Sequence, residues 1–368
     1  MSPRRSAAHR VQTRIHEQNS EPVKPDTLPI HGLNTKGLPT VPAELLLEIL
    51  SYMQTMPIPC NSEPIRAEYK ERSMALCALF QTCRSLRSAL RPFVWERIEV
   101  CTANGDTFSN RWCKDVATDL IEQLEIVTIR EPSFASHVKT VTVVISNHCL
   151  HKVLREFSRC LALMPNLQTI QIIDMRYYCS ARRYYPAVHE ATFDEGFQSS
   201  TFPSIQHVIM SPQAHVLFHC FPNARRVYLN WSSRRYSCNN SISGDDHDAC
   251  RKWLSEVAKH CPNVEEFGSP DVLGRNIIES VISTLPRLRS LQFHGGHISV
   301  GFIRPLHELR NLEKVEFVVP PWKRKLQAKR EEAIRVLEKS HGDSGKKRLV
   351  IITRAQTGDE IEVAKFAP

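Results

Sequence analysis

The sequence has no CxxC pair, no HExxH, no GxSxG and no dinucleotide-binding fingerprint. Each of these short motifs fixes ligands or backbone for one chemistry, so zinc-ribbon, metalloprotease, serine-hydrolase and nucleotide-dependent classes lose their usual signatures. Its 12 cysteines and 16 histidines are scattered without regular spacing, which argues against a disulfide framework. Cysteine at this level in a chain this long fits a reducing compartment, so cytoplasm or nucleus is expected. No apolar run approaches the ~18 residues that a membrane helix needs. The start, MSPRRSAAHRVQTR, is basic but has no apolar segment, unlike a secretory signal. It is Arg-rich and free of acids before Glu17, a composition shared by transit peptides and disordered tails, of which the tail is the commoner.

Acidic charge is in shorter supply than basic. The net charge is +9 and the isoelectric point is near 9.0, which would suit nucleic acid. The excess is dispersed, however. Part lies at Arg4, Arg5, Arg10 and Arg14, and part in PWKRKLQAKREEAIRVLEKSHGDSGKKR, where Glu331, Glu332 and Glu338 dilute it. That segment reads as a solvated helix with a basic face rather than a nucleic-acid site.

What is present is ordinary in bulk, 42% hydrophobic and 24% charged, and unusual in one stretch. LPTVPAELLLEILSYM runs from Leu38 to Met53. Pro42 suits the start of a helix, and Glu44 then sits in its first turn, where a carboxylate complements the dipole. Leu46, Leu50 and Met53 make one apolar stripe; Leu45, Ile49 and Tyr52 make a second. A surface helix normally needs one. Three prolines, Pro57, Pro59 and Pro64, then mark a loop. After it, Leu76, Leu79, Phe80, Cys83, Leu86 and Leu90 recur at helical spacing until Pro92, which is expected to end or kink the pattern. WERIEV then alternates like the start of a strand. About 60 residues of this kind are too few to build a core of their own.

These residues resemble an F-box, in the form common in fungal proteins. The Pro-x-Glu-Leu-Leu opening at Pro42, the Glu-Ile-Leu continuation, the Cys-Arg-Ser run at Cys83 and the terminal Trp95 match by position. The loop from Pro57 to Ser73 is longer than usual, and Leu86 stands where many members have Trp. The resemblance implies that the first helix docks on a Skp1-like adaptor, and through it on a cullin ubiquitin ligase. It also implies adaptor contacts at Pro42, Leu45, Leu46, Ile49 and Leu50. The second stripe would then be an interface; the other reading packs both stripes inside the chain.

The rest of the chain repeats. HVKTVTVVI from His137, PNLQTIQII from Pro165, PSIQHVIM from Pro203, PNARRVYLN from Pro222, PNVEEFGS from Pro262, PRLRSLQFH from Pro286 and RNLEKVEFV from Arg310 share Pro-Asn-apolar-x-x-apolar-x-apolar. Amphipathic segments such as HKVLREFSRCLALM and ACRKWLSEVAKHC precede them. From Pro165 the intervals run 38, 19, 40, 24 and 24, against a leucine-rich-repeat period of roughly 20–29. The long intervals would hold inserts or a decayed repeat. WERIEV can serve as the first strand and KRLVIITR as the last. The Asn usual after the strand is missing, so the pattern is that of a degenerate leucine-rich-repeat-like solenoid, whose units bury their apolar faces by stacking.

The expected class is therefore α/β. Residues 1–37 form a basic tail, 38–100 a short all-α F-box-like module, 101–320 an αβ solenoid, and 321–368 a basic helix with the final strand or strands. Two inserts, DMRYYCSARRYYPAVHEATFDEGFQSS and NWSSRRYSCNNSISGDDHDAC, should leave the same rim. Arg182, Arg183, Tyr184, Trp231, Arg234, Arg235 and Tyr236 are the candidate target-binding residues there. Arg and Tyr concentrate interface energy, and Arg recognises carboxylate or phosphate. Asp245, Asp246, His247, Asp248 and Cys250 read as a helix start, with acids favoured by the dipole, rather than as a metal site. HGDSGKK lacks phosphate-loop spacing. HCFPN at His219 and HCPN at His260 recur at one point of the repeat, beside RCLALMPN, and read as structural. No catalytic residue, cofactor or metal is expected. The function implied is target recognition in an SCF-type ubiquitin ligase, with an unknown protein target. The alternative is a basic scaffold binding nucleic acid or a membrane surface.

Overall fold

The computed structural model describes residues 41–52, 68–100, 110–146, 148–174, 186–198, 200–230, 244–269, 275–294, 300–319, 327–340, 347–355 and 358–365. The chain is mixed α/β. Three helices come first: α1 (Ala43–Ser51), α2 (Glu68–Thr82) and α3 (Arg84–Val94). Ten strands follow: β1 (Arg97–Val100), β2 (Thr140–Ile145), β3 (Thr169–Asp174), β4 (His207–Met210), β5 (Arg226–Leu229), β6 (Glu266–Ser269), β7 (Ser290–His294), β8 (Lys314–Val319), β9 (Arg348–Ala355) and β10 (Gly358–Lys365). They form one sheet in chain order. β1 to β9 are all parallel, and β10 closes the series antiparallel to β9.

All seven repeated stretches, WERIEV and KRLVIITR contribute strands to this sheet. Alternation decides which face each residue takes. Ile98, Val141, Ile170, Val208, Val227, Phe267, Leu291, Val315 and Leu349 lie in register on the core face. Connections between parallel neighbours must cross over, and their consistent hand brings them to one side. Those crossings carry the rest of the core. α4 (Asn110–Glu125) buries Val116, Leu120 and Leu124; α5 (Leu150–Leu161) buries Leu154 and Phe157; the helix Gly244–His260 buries Trp253, Leu254 and Val257.

The repeated Pro-Asn has a physical role. Asn166 Nδ2 donates to the Ser136 carbonyl at 2.7 Å, Asn223 to Pro203 at 3.0 Å, and Asn311 to Pro286 at 3.2 Å. Each ties the turn before one strand to the turn before its predecessor. Beside these, pairs of successive N–H groups share one carbonyl of the preceding strand. Gln206 and His207 bond Gln168, and Arg225 and Arg226 bond Gln206. This ladder sets the register strand by strand. The irregular intervals resolve as insertions: β3 pairs directly with β4 and β5 with β6, so no decayed strand intervenes. The short interval from Pro203 to Pro222 is spanned by a 3-10 helix, Pro212–Cys220, in place of an α-helix.

Two local expectations differ from the structure. The break in the second helical stretch falls at Cys83, which is extended, while Pro92 sits inside α3 and the helix runs on to Val94. The basic C-terminal helix, Gln327–Lys339, is not merely solvated: Ala333, Val336 and Leu337 are buried in the main core.

Candidate functional site

The helical module has its own small core. Leu46 and Leu50 of α1 meet Leu76 of α2 and Leu86 and Leu90 of α3, with Val41, Leu79, Cys83, Phe93 and Val94 around them. This separates the two stripes of α1. Leu46 and Leu50 are 6% and 3% exposed. As adaptor contacts they are therefore corrected: they are spent inside the chain and offer a partner no surface. Leu86 fills the same core.

Leu45, Ile49 and Tyr52 remain outside, 51%, 52% and 79% exposed, and Pro42 is exposed beside them. Met74 of α2 is also exposed, at 65%. Glu44 and Glu48, one turn apart on the same helix, are also exposed. Tyr52 belongs to the candidate surface although only its stripe, not its role, was read from the sequence.

The module is braced against the sheet. Trp95, one residue past α3, stacks on Phe134 with centroids 5.1 Å apart, and the Arg91 guanidinium lies 5.4 Å from the same ring. β1 begins at Arg97, so two residues separate the last helix from the first strand.

Arg182, Arg183, Tyr184, Trp231, Arg234, Arg235 and Tyr236 lie outside the described residues, as do Asp245, Asp246, His247 and Asp248 as side chains and the HGDSGK run. The helix Gly244–His260 does start at the Gly244-Asp245-Asp246 run. Among the described residues, no three His, Cys, Asp or Glu side chains are grouped as metal ligands. Nor is any described helix long and apolar enough to cross a membrane.

The repeated cysteines are interior. Cys160, Cys220 and Cys261 have no exposed surface. Burial pushes their thiols up to about 11, 12 and 12, so they stay protonated near neutral pH, the opposite of an activated nucleophile. The basic side chains of the C-terminal helix are partly paired, Arg330 with Glu362 and Arg335 with Glu332, each at 2.7 Å.

No protein-family model matches the chain, and no curated protein does. Among solved structures it is similar to a protein from Bacteroides fragilis, with 15% identity and a TM-score of 0.38. That match covers 62% of this chain and spans about 60% of the length of the other.

Proposed function

We propose that the chain is the target-recognition subunit of an SCF-type ubiquitin ligase. In this reading residues 38–100 act as an F-box-like module on a Skp1-like adaptor, and through it a cullin. The sequential sheet acts as a leucine-rich-repeat-like solenoid that holds a protein target. The observation that carries the reading is the exposed stripe Leu45–Ile49–Tyr52 on a helix whose other stripe is already buried. Three large apolar side chains at i, i+4 and i+7 form an exposed stripe of the kind that marks a protein contact. The chain then works by bridging. It raises the effective concentration of target near the charged enzyme, and no bond-making step is assigned to it.

Co-purification with a Skp1-like adaptor tests this, with wild type beside Leu45→Asp combined with Ile49→Asp. Capture by wild type and loss in the variant, with unchanged circular dichroism, supports the reading. Equal capture of both, or capture of neither by folded protein, overturns it.

A further inference from the structure

The exposed stripe of α1 is bordered by negative charge. At about 100° per residue around the helix, Glu44 and Glu48 form a row beside Leu45, Ile49 and Tyr52. Both carboxylates are exposed. α1 carries no basic residue to answer them, and neither pairs with another described residue. The surface is thus three large apolar side chains at i, i+4 and i+7 with two carboxylates along one side. A helix fits it when its own apolar residues repeat in the reverse order and positive charge runs along the matching side. Orientation matters. In an antiparallel pair, the residues that precede each apolar row come to the same side of the contact; in a parallel pair they fall on opposite sides.

The chain carries such a segment ahead of α1, outside the described residues, which begin at Val41. In AAHRVQTRI, residues 7–15, Ala8, Val11 and Ile15 are spaced i, i+3 and i+7. Arg10 and Arg14 immediately precede Val11 and Ile15, as Glu44 and Glu48 precede Leu45 and Ile49. Laid antiparallel on α1, Ile15 meets Leu45, Val11 meets Ile49, and the small Ala8 meets the large Tyr52. Arg14 then falls beside Glu44, and Arg10 beside Glu48. No proline or glycine interrupts residues 4–21, so nothing in that sequence forbids a helix.

We infer that residues 8–15 fold back as an antiparallel helix on α1 and mask its exposed stripe, so that an adaptor must displace the chain's own tail. Residues 16–41, with Pro22, Pro25, Pro29, Gly32 and Gly37, make the return. The span is short, because the antiparallel order leaves Ile15 at the end of α1 where the chain enters. A flexible tether holds the segment at a local concentration of about 1 mM. At that concentration a contact with a Kd of about 0.3 mM covers the stripe about three-quarters of the time. The quarter left open lowers the apparent affinity for an adaptor about fourfold. The contact needs no adaptor; its role as a mask rests on the receptor reading.

Hydrogen exchange of residues 44–52 in the full chain, without adaptor, tests the contact. Wild type is expected to exchange about fourfold more slowly than Arg10→Glu combined with Arg14→Glu at about 0.05 M salt, and the gap to close at about 0.5 M. Swapping one pair, Arg10→Glu with Glu48→Arg, is expected to slow exchange again relative to R10E alone. Equal exchange in wild type and R10E/R14E, a gap indifferent to salt, or a swap no slower than R10E overturns the inference. So does a gap that grows with protein concentration, which assigns the cover to a second copy of the chain. Titration with a Skp1-like adaptor reads the consequence: R10E/R14E is expected to bind about fourfold tighter than wild type. Adaptor binding by neither protein, with the exchange gap intact, removes the ligase reading and leaves the fold-back contact standing. Equal adaptor affinity with no exchange gap does the reverse.

Discussion

The two stripes of α1 make opposite demands, and their separate removal is the most informative perturbation. Leu45 and Ile49 are about half exposed, at 51% and 52%. Full burial of such a side chain is worth about 1.5–3 kcal/mol, so covering the remaining half of each contributes roughly 0.75–1.5 kcal/mol. Together they supply about 1.5–3 kcal/mol, and at 1.4 kcal/mol per decade Leu45→Ala with Ile49→Ala should weaken adaptor binding about 10- to 150-fold. Because only about half of each residue is buried within the chain, Tm should fall little compared with loss of the buried stripe. Leu46→Ala with Leu50→Ala should do the reverse. Each removes a buried leucine at about 2–5 kcal/mol, so the helical module unfolds and binding is lost with it. Isothermal titration with a Skp1-like adaptor reads the first effect, and thermal denaturation the second. A double variant at Leu45 and Ile49 that binds as tightly as wild type would refute the reasoning. So would one that melts several degrees lower, since the stripe would then be internal.

Other expectations follow from single contacts. Gly268→Ala drives a Cβ into the Tyr228 ring and should cost about 1–3 kcal/mol by chemical denaturation, with most of the loss recovered when Tyr228→Ala is added. His207 is held neutral in the fold, lowered from 6.5 to about 4. The unfolded chain therefore binds the extra proton between those values, and stability should fall as pH drops from 6.5 toward 4, with no contribution above 6.5. His207→Gln should flatten that part of the pH–stability curve; an unchanged slope would remove His207 as its cause. Phe134→Leu keeps bulk but loses stacking with Trp95, which should cost about 0.5–1.5 kcal/mol and speed hydrogen exchange in α3 while leaving β5 and β6 protected.

The strands were legible because most of the apolar alternations follow a Pro or Arg at the same offset, and two-residue periodicity survives irregular loop length. The same periodicity does not report what covers each face. His207, Ser211 and Asn230 look in sequence like ordinary polar positions of strand ends; only the register aligns them, and only burial shows their side chains unbonded. In α1 both stripes are equally apolar. Which one turns inward depends on where α2 and α3 lie, a tertiary matter that local pattern cannot encode. The Cys83 break shows the same limit. Pro92 is the stronger local breaker, yet it falls in the last turn of α3, where few hydrogen bonds remain to be lost. Cys83 is an unremarkable residue placed where α2 must turn back so that Leu76, Leu86 and Leu90 can meet.

Bridging places a demand on the joint as well as on the two ends. If the helices hold one partner and the sheet another, a slack connection would spread the target over a large volume and dilute the gain in effective concentration. Here the connection is short and packed. α3 passes through Trp95 and Glu96 directly into β1, Trp95 is stacked on Phe134, and Arg91 covers the same ring from α3. Phe134 in turn belongs to the main core, between α4 and β2. The last helix of the module is thus continuous with the first strand of the sheet and cannot rotate without breaking an aromatic stack. A module needed only to complete the core would bury its apolar residues and stop there. This one leaves Leu45, Ile49 and Tyr52 in water while its neighbours are fixed to the sheet. A rigid mount beneath an uncovered apolar stripe is the arrangement a receptor requires and a self-contained cap does not.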